Sequence, residues 1–342
     1  MNGGIRRDVS LQSLNTLATP SRAEYFARLE SPADLPSLLD RARTGAWPVR
    51  VLAGGSNVVL GEKLPGLTIQ QACRGVRELA RDERSVSLAV AAGENWHAFV
   101  EWCLHRGYYG LENLALIPGS VGAAPIQNIG AYGVEVGGFI ESVRCRYLAG
   151  GKALDLQRAD CEFSYRDSLF KRALRDRVIV EEVRLKLSKV EAPVTDYPGL
   201  RRWLGDNGIT RPGARQVFEA VVAMRRSRLP DPDRIPNTGS FFKNPRVDRA
   251  TLHRLLADYP DLPHYPAANG SQYRLAAAWL IETCGFKRGR EGPVRVHPDH
   301  ALVIVNPQQR PAFEIRAFAE KIATAVRERF GLSLEQEPCN YG

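Results

Sequence analysis

Between Gly110 and Gly133 the chain reads Gly-Leu-Glu-Asn-Leu-Ala-Leu-Ile-Pro-Gly-Ser-Val-Gly-Ala-Ala-Pro-Ile-Gln-Asn-Ile-Gly-Ala-Tyr-Gly, and its only formal charge is Glu112. Glycine at 119, 122, 130 and 133 frees the backbone to turn tightly and to bring N–H groups against a phosphate or a ring system. Gln127 and Asn128 add amides able to read the edge of a heterocycle. An irregular structural loop is the commoner origin of a glycine-rich segment. Here the length, the low charge and the paired amides together favour ligand binding.

An absence narrows what this segment can belong to. No two glycines in the chain are separated by a single residue, so Gly-x-Gly-x-x-Gly does not occur. Gly150-Gly151-Lys152 lacks both the upstream glycine and the following Ser or Thr of a P-loop. A dinucleotide bound by this chain therefore uses another fold. At 342 residues the chain exceeds what one hydrophobic core organises, and two or three domains are expected.

The excess of 47 basic over 38 acidic side chains, a formal charge of +9, favours anionic partners. Basic residues are spread along the chain, with no run that reads as a nucleic-acid tail and no zinc-finger spacing or RNA-binding aromatic signature. No nucleic-acid partner is expected. Cysteines 73, 103, 145, 161, 284 and 339 lie far apart, which supports neither a disulfide framework nor a zinc site. Met1 to Leu17 has no apolar core of a signal peptide, and no segment approaches the roughly 20 apolar residues that span a bilayer. The expectation is a cytoplasmic protein without a membrane partner, and a monomer, since nothing in the sequence advertises an interface.

Short apolar runs alternate with helical patterns, which gives an α/β or α+β class. Val49 to Leu52 reads as a buried strand running into the turn Gly54-Gly55-Ser56-Asn57, and Ser85 to Ala91 as a second strand. Trp96, Phe99, Val100, Cys103 and Leu104 share one helical face, with Gly107 placed to end that helix. Val183, Leu185 and Leu187 alternate with charged residues as in a half-exposed strand. A boundary is expected after Ser188, where residues 189–199 bring two prolines and lose periodicity. Leu229 to Pro236 is too proline-rich for helix or central strand. Beyond it, helices are expected near Thr251 to Ala257, at Arg274 to Cys284 and at Pro311 to Phe330, with a strand at Ala301 to Val305.

The remaining motifs are individually bland. Gly239-Ser-Phe-Phe-Lys-Asn244 has no neighbouring histidine and is no hydrolase elbow, so Ser240 alone reads as a turn serine. Tyr165-Arg-Asp-Ser168 and Leu334-Glu-Gln-Glu337 pass for surface charge, and His297-Pro-Asp-His300 is too little for a metal. No metal is expected.

Taken in order, Gly54 to Asn57, Gly93-Glu-Asn-Trp-His97, Gly110 to Gly133, Tyr165 to Ser168, Gly239 to Asn244 and Leu334 to Glu337 resemble the UDP-N-acetylenolpyruvoylglucosamine reductase family. Tyr197 and the long proline loop resemble the subgroup with a tyrosine-bearing loop over the active site. The resemblance implies an α+β protein with a two-subdomain FAD-binding region of the vanillyl-alcohol-oxidase type and a C-terminal α/β substrate domain. The first would occupy residues 17–188, split near 72, and the second residues 189–342, whose last residues return to the active site. It also implies non-covalent FAD and NADPH as reductant. FAD contacts would come from Gly54, Gly55, Ser56, Asn57, Gly119, Ser120, Gly122, Gln127, Asn128, Gly130, Ala131, Tyr132 and Gly133.

The implied reaction reduces UDP-N-acetylglucosamine enolpyruvate to UDP-N-acetylmuramate for peptidoglycan, with hydride passing from flavin N5 to the vinyl carbon. Charge developing on the neighbouring carbon and carboxylate needs fixed donors already in place. By the resemblance, Arg166 grips the carboxylate, Glu337 holds or polarises the arrangement, and Ser240 delivers the proton. Tyr165, Tyr197, Arg228, Lys243 and Asn244 would bind substrate. The other reading is an FAD oxidoreductase of the same fold acting on a hydroxyl substrate. Three positions depart from the family pattern: Ala53 replaces the usual glycine, Arg228 replaces a common lysine, and Pro338-Cys-Asn-Tyr-Gly342 replaces a hydrophobic strand ending.

Overall fold

The alternation around Val183, Leu185 and Leu187 belongs to the strand Val178–Ser188, in a computed structural model that describes residues 4–267, 270–288 and 292–342. This strand is the centre of an antiparallel sheet ordered Ala153–Gln157, Ile140–Tyr147, Val178–Ser188, Ser85–Ala91, Val76–Arg81. Val183 lies opposite Val143 on one side and Val90 on the other, so β-branched residues meet across three strands. Leu185 and Leu187 are buried while Lys186 between them is exposed, as the two-residue period requires. Glu181 is also buried, and its carboxylate accepts a bond from Arg146 at 2.8 Å.

The chain divides into two compact units. The first comprises Met1–Val9, Ala23–Gly54 and Pro65–Ser227. Besides the antiparallel sheet it holds a second one, ordered Arg6–Ser10, Arg22–Leu29, Lys63–Gln71, Val49–Leu52, whose last two strands run parallel. The helix Leu35–Thr44 buries Leu35, Leu38, Leu39 and Ala42, one stripe at helical spacing, in a core with Leu67 and Ile69. Residues 189–227 fall in this unit. The physical reason is the helix Ala214–Arg228, whose Val217, Phe218, Val221 and Met224 share a core with Val183 and Leu185.

The second unit comprises Ser10–Arg22, Gly55–Leu64 and Arg228–Gly342. Its sheet is ordered Asn237–Ser240, His300–Val305, Arg295–His297. The helix Ala312–Phe330 adds Ile315, Ile322 and Val326 to a core built around Phe241 and Ile304, and Gly331 ends it at φ +70°. The C-terminal residues, although not hydrophobic, do form a strand: Cys339–Tyr341 runs parallel to Val58–Leu60. Main-chain bonding needs no apolar side chain, so the unusual ending keeps its seat.

One element differs from expectation. Arg274 and Leu275 close the strand Gln272–Leu275, and the helix begins only at Ala277 and ends at Thr283. Pairing of Arg246 with Arg274 competes with the helical pattern there, and Asn244 Oδ1 accepts the Ala277 amide at 3.0 Å.

What positions the glycine-rich segment is the stretch 92–97 of the first unit. Gly122 N donates to Ala92 O at 2.8 Å, Val121 N to Glu94 O at 2.9 Å and Trp96 N to Gly119 O at 3.1 Å. The buried Trp96 indole donates to Leu114 O at 2.9 Å, and His97 Nδ1 accepts the Leu116 amide at 3.0 Å. Asn95 Oδ1 accepts from Ala98 N at 2.9 Å, starting the helix Trp96–His105. The motif Gly93–His97 is thus a main-chain template for residues 114–122.

Two outcomes follow from this packing. Leu185→Ala should cost about 2–5 kcal/mol, read as a lower denaturant midpoint at unchanged slope, while Lys186→Ala stays within about 0.5 kcal/mol. Equal losses at both positions would contradict the register. Burial, with Arg226 and Arg225 adding to it against Glu101, depresses the His97 pKa below its ordinary 6.5. With the folded value below the unfolded one, protons favour the unfolded chain. Stability from this group is therefore full above pH 6.5 and is lost as pH falls through the folded value. Melting temperatures measured across that range should fall less steeply in His97→Gln.

Candidate active site

Gly54 and Gly119 lie back to back in the first unit: a β-carbon on Gly54 would stand 3.2 Å from the Gly119 α-carbon. Gly119 has φ +121°, a conformation closed to other residues. The amides of Gly119 and Ser120 find no acceptor among the described residues, and Ser120 Oγ is buried without a partner. Orphaned donors beside a glycine contact are what a pyrophosphate-bearing ligand needs. Gly122 serves packing, since a β-carbon there would come within 2.4 Å of the Ala92 β-carbon. The remainder of the first turn, Gly55, Ser56 and Asn57, falls in the second unit, where Asn57 O accepts from Cys339 N at 2.9 Å.

Farther along, Gly130–Ala131 and Val134–Glu135 form a hairpin whose tip is Tyr132-Gly133, at φ +47° and +87°. Positive φ at both tip residues matches the twist of paired strands. Tyr197 packs edge-on to Tyr132 with centroids 5.4 Å apart, so the tyrosine of residues 189–197 meets the glycine-rich segment at this tip. Asn128 departs from the role expected of a heterocycle-reading amide. Its buried side chain donates to Glu135 Oε2 at 2.8 Å and to Ser164 O at 3.0 Å, and accepts from Gly137 N at 2.8 Å. All of its donors and its acceptor are engaged by protein. Gln127 and Ala131 are half-buried.

Asn128 also holds the turn that carries Arg166. Ser164 and Asp167 bond each other through both main-chain pairs, at 3.0 and 3.2 Å, leaving Tyr165 and Arg166 at the tip. Arg166 has φ +54° and donates from Nη2 to Gly130 O at 2.7 Å, with its guanidinium over the Tyr165 ring. Ser168 anchors the turn from Oγ to Ile126 O at 2.6 Å. Arg166, Tyr165, Tyr197 and the hairpin tip are thus gathered in one unit from positions far apart in sequence.

Ser240 and Glu337 belong to the second unit, on segments that run next to each other. Glu337 N donates to Phe241 O at 2.9 Å and Lys243 N to Glu335 O at 2.9 Å, so residues 241–243 run antiparallel to 335–337. Ser240 closes a strand distorted at Gly239, φ +70°, between the pairs Asn237–Val305 and Ser240–Val303. The Ser240 hydroxyl is half-buried and has no hydrogen-bond partner among the described residues. Buried Phe241 and Phe242 beyond it lock the strand into the core. Lys243 pairs with Glu335, Asn244 caps a helix as above, and Arg228 is exposed at the end of its helix.

Sequence reading gave no role to Arg225 and none to His97 beyond its place in the motif Gly93–His97. Arg225 donates from Nε to Leu116 O at 3.2 Å, and His97 stacks on Phe218 with centroids 5.5 Å apart. The available signal was a charged residue on the apolar stripe of the helix Ala214–Arg228.

The family described as FAD binding domain matches residues 23–157, and the UDP-N-acetylenolpyruvoylglucosamine reductase C-terminal domain matches residues 231–340. The chain is 46% identical to the UDP-N-acetylenolpyruvoylglucosamine reductase of Chromobacterium violaceum over 97% of its own length and 98% of the relative's. It is 44% identical to that of Pseudomonas aeruginosa over 98% and 99%. The solved reductase from Thermus caldophilus shares the fold at a TM-score of 0.66 and 24% identity, covering 99% of this chain and all of that one. The fold is the α+β arrangement expected, with an FAD-binding domain match in its N-terminal half and the reductase C-terminal domain in its C-terminal third. Identity of this size along both whole chains means that the protein belongs to the UDP-N-acetylenolpyruvoylglucosamine reductase family.

Proposed function

We propose that this chain, with FAD bound non-covalently, reduces UDP-N-acetylglucosamine enolpyruvate to UDP-N-acetylmuramate at the expense of NADPH, a step of peptidoglycan precursor synthesis. The observation that carries the reading is the pairing of 241–243 with 335–337, which sets an uncommitted hydroxyl, Ser240, beside a carboxylate-bearing strand, Glu337. An oxidase acting on a hydroxyl substrate has no use for such a proton donor. FAD, when bound, accepts reducing equivalents from NADPH and passes them to the enolpyruvyl double bond.

The residues then divide the work. The amides of Gly119 and Ser120, with Gly54 against them, receive the FAD pyrophosphate, and Gly55, Ser56 and Asn57 complete that turn. The hairpin Gly130 to Gly133 contributes main chain to the cofactor. Arg166 holds the substrate carboxylate and stabilises charge as it develops there. Ser240 gives its proton to the carbon beside the carboxylate, and Glu337 polarises it. Serine is a weak acid, but it can serve where the developing carbanion is strongly basic and water is kept out. Tyr165, Tyr197, Arg228, Lys243 and Asn244 bind substrate, Arg228 by charge at its diphosphate. On this reading residues 17–188, parted near 72, serve FAD and residues 189–342 serve substrate. The two family matches, 23–157 and 231–340, lie within those bounds.

The protein's partners are small molecules. Among the described residues no helix is long and apolar enough to cross a membrane. We place the enzyme in the cytoplasm as a monomer, in keeping with substrates made there.

An anaerobic visible spectrum tests the reaction. The flavin band should bleach with NADPH and return when UDP-N-acetylglucosamine enolpyruvate is added; a band that stays bleached removes the substrate assignment. Ser240→Ala should leave bleaching by NADPH nearly intact and slow the return by about 10²- to 10⁴-fold in stopped flow. Wild-type rates in both half-reactions would remove Ser240 as the donor.

A further inference from the structure

Asn237 is a buried polar side chain three residues before Ser240. It donates from Nδ2 to Pro230 O at 3.1 Å and to Ile235 O at 2.8 Å. Its Oδ1 accepts the Gly239 amide at 2.8 Å. Two carbonyls on one side and an N–H on the other fix which way the amide faces. With both donors and the acceptor oxygen engaged by protein, the side chain works on its own chain and not on a reactant.

The base from which it does so is anchored within the second unit. Asn237 N donates to Thr16 O and Asn306 N to Pro236 O, each at 2.8 Å, and the buried Asn306 bonds Leu17 O at 2.9 Å. Asn237 also lies opposite Val305 in the sheet, and the register shifts before Ser240 meets Val303. Gly239 sits at that shift with φ +70°, and apart from its chain neighbours nothing lies within 4 Å of where its β-carbon would stand. Conformation, not crowding, calls for glycine there. Its amide goes to Asn237 Oδ1, two residues back, an Asx-type turn that bends the strand and sets the direction in which Ser240 follows. The bonds to Pro230 and Ile235 close the proline-rich loop on the same amide, and so hold its oxygen where Gly239 needs it.

We propose that Asn237 is a positioning residue for the reduction, fixing the Gly239 peptide so that the Ser240 hydroxyl is presented at one place, with no contact of its own to cofactor or substrate. The inference rests on the reading of Ser240 as proton donor given above.

The test is a double-mutant cycle on FAD-loaded enzyme. Anaerobic stopped flow reads the return of the flavin band when UDP-N-acetylglucosamine enolpyruvate meets NADPH-reduced protein. With Ser240 present, Asn237→Ala should slow that return about 10- to 100-fold, since a misplacement of about 1 Å at the reacting centre costs as much. In a Ser240→Ala background the same substitution should change the remaining rate by less than about twofold, because no hydroxyl is left to position. Asn237→Ser, whose hydroxyl still accepts the Gly239 amide, should fall between, about threefold slower than wild type. Equal slowing in both backgrounds would make Asn237 a structural tie of the loop and overturn the proposal. A wild-type return in Asn237→Ala, or a serine variant no faster than the alanine one, overturns it too. Should Asn237→Ala not fold, Asn237→Ser decides by the same cycle, and a wild-type rate or equal slowing in both backgrounds overturns the proposal. If Ser240→Ala alone returns at the wild-type rate, the reading of Ser240 fails and this inference with it. A slow Ser240→Ala beside an unaffected Asn237→Ala fails this inference alone.

Discussion

The first unit depends on a main-chain template. Three hydrogen bonds between residues 92–96 and 119–122, each 2.8 to 3.1 Å long, shape a segment that has no regular structure of its own. Gly122 is required there because the Ala92 β-carbon already occupies the space a side chain would take. Trp96 and His97 extend the template to Leu114 and Leu116 by side-chain bonds. Once the segment is held in this way, the amides of Gly119 and Ser120 stay unpaired among the described residues. A helix would have spent those same donors on itself.

The second unit uses the same device with different residues. Main-chain pairing of 241–243 with 335–337 sets the segment after Ser240 beside the segment that ends in Glu337, and the final strand Cys339–Tyr341 is secured by its parallel partner Val58–Leu60. Phe241 and Phe242 sink into the core so that Ser240, just before them, is held at its edge without bonding to it. Rigid backing behind an uncommitted polar group is the general requirement for a group that must act at one place and moment.

Much of the fold was legible because local pattern and tertiary environment agree. The strands Val49–Leu52 and Ser85–Ala91 and the helix Ala312–Phe330 lie where period and capping residues put them. At Gln272–Leu275 they disagree, and pairing with Arg246–Asp248 overrides the helical pattern. The helix Ala214–Arg228 carries a clear apolar stripe but follows a proline-bearing stretch that hid its attachment to the first unit.

By itself the sequence determined the chemistry available: glycines where backbone must approach closely, arginines that stay charged, a lone serine before two phenylalanines, and motif order that identifies the family. Those properties belong to single residues or short spans, which is why they can be read from the chain directly. Only the tertiary structure decided how each group is used. It bonds both ends of the Asn128 amide within the protein, sets Glu337 opposite Phe241, and ties Arg225 to Leu116 O with no carboxylate on it among the described residues. Each outcome depends on hydrogen-bond partners distant in sequence, and a linear pattern does not say which partner a donor will find.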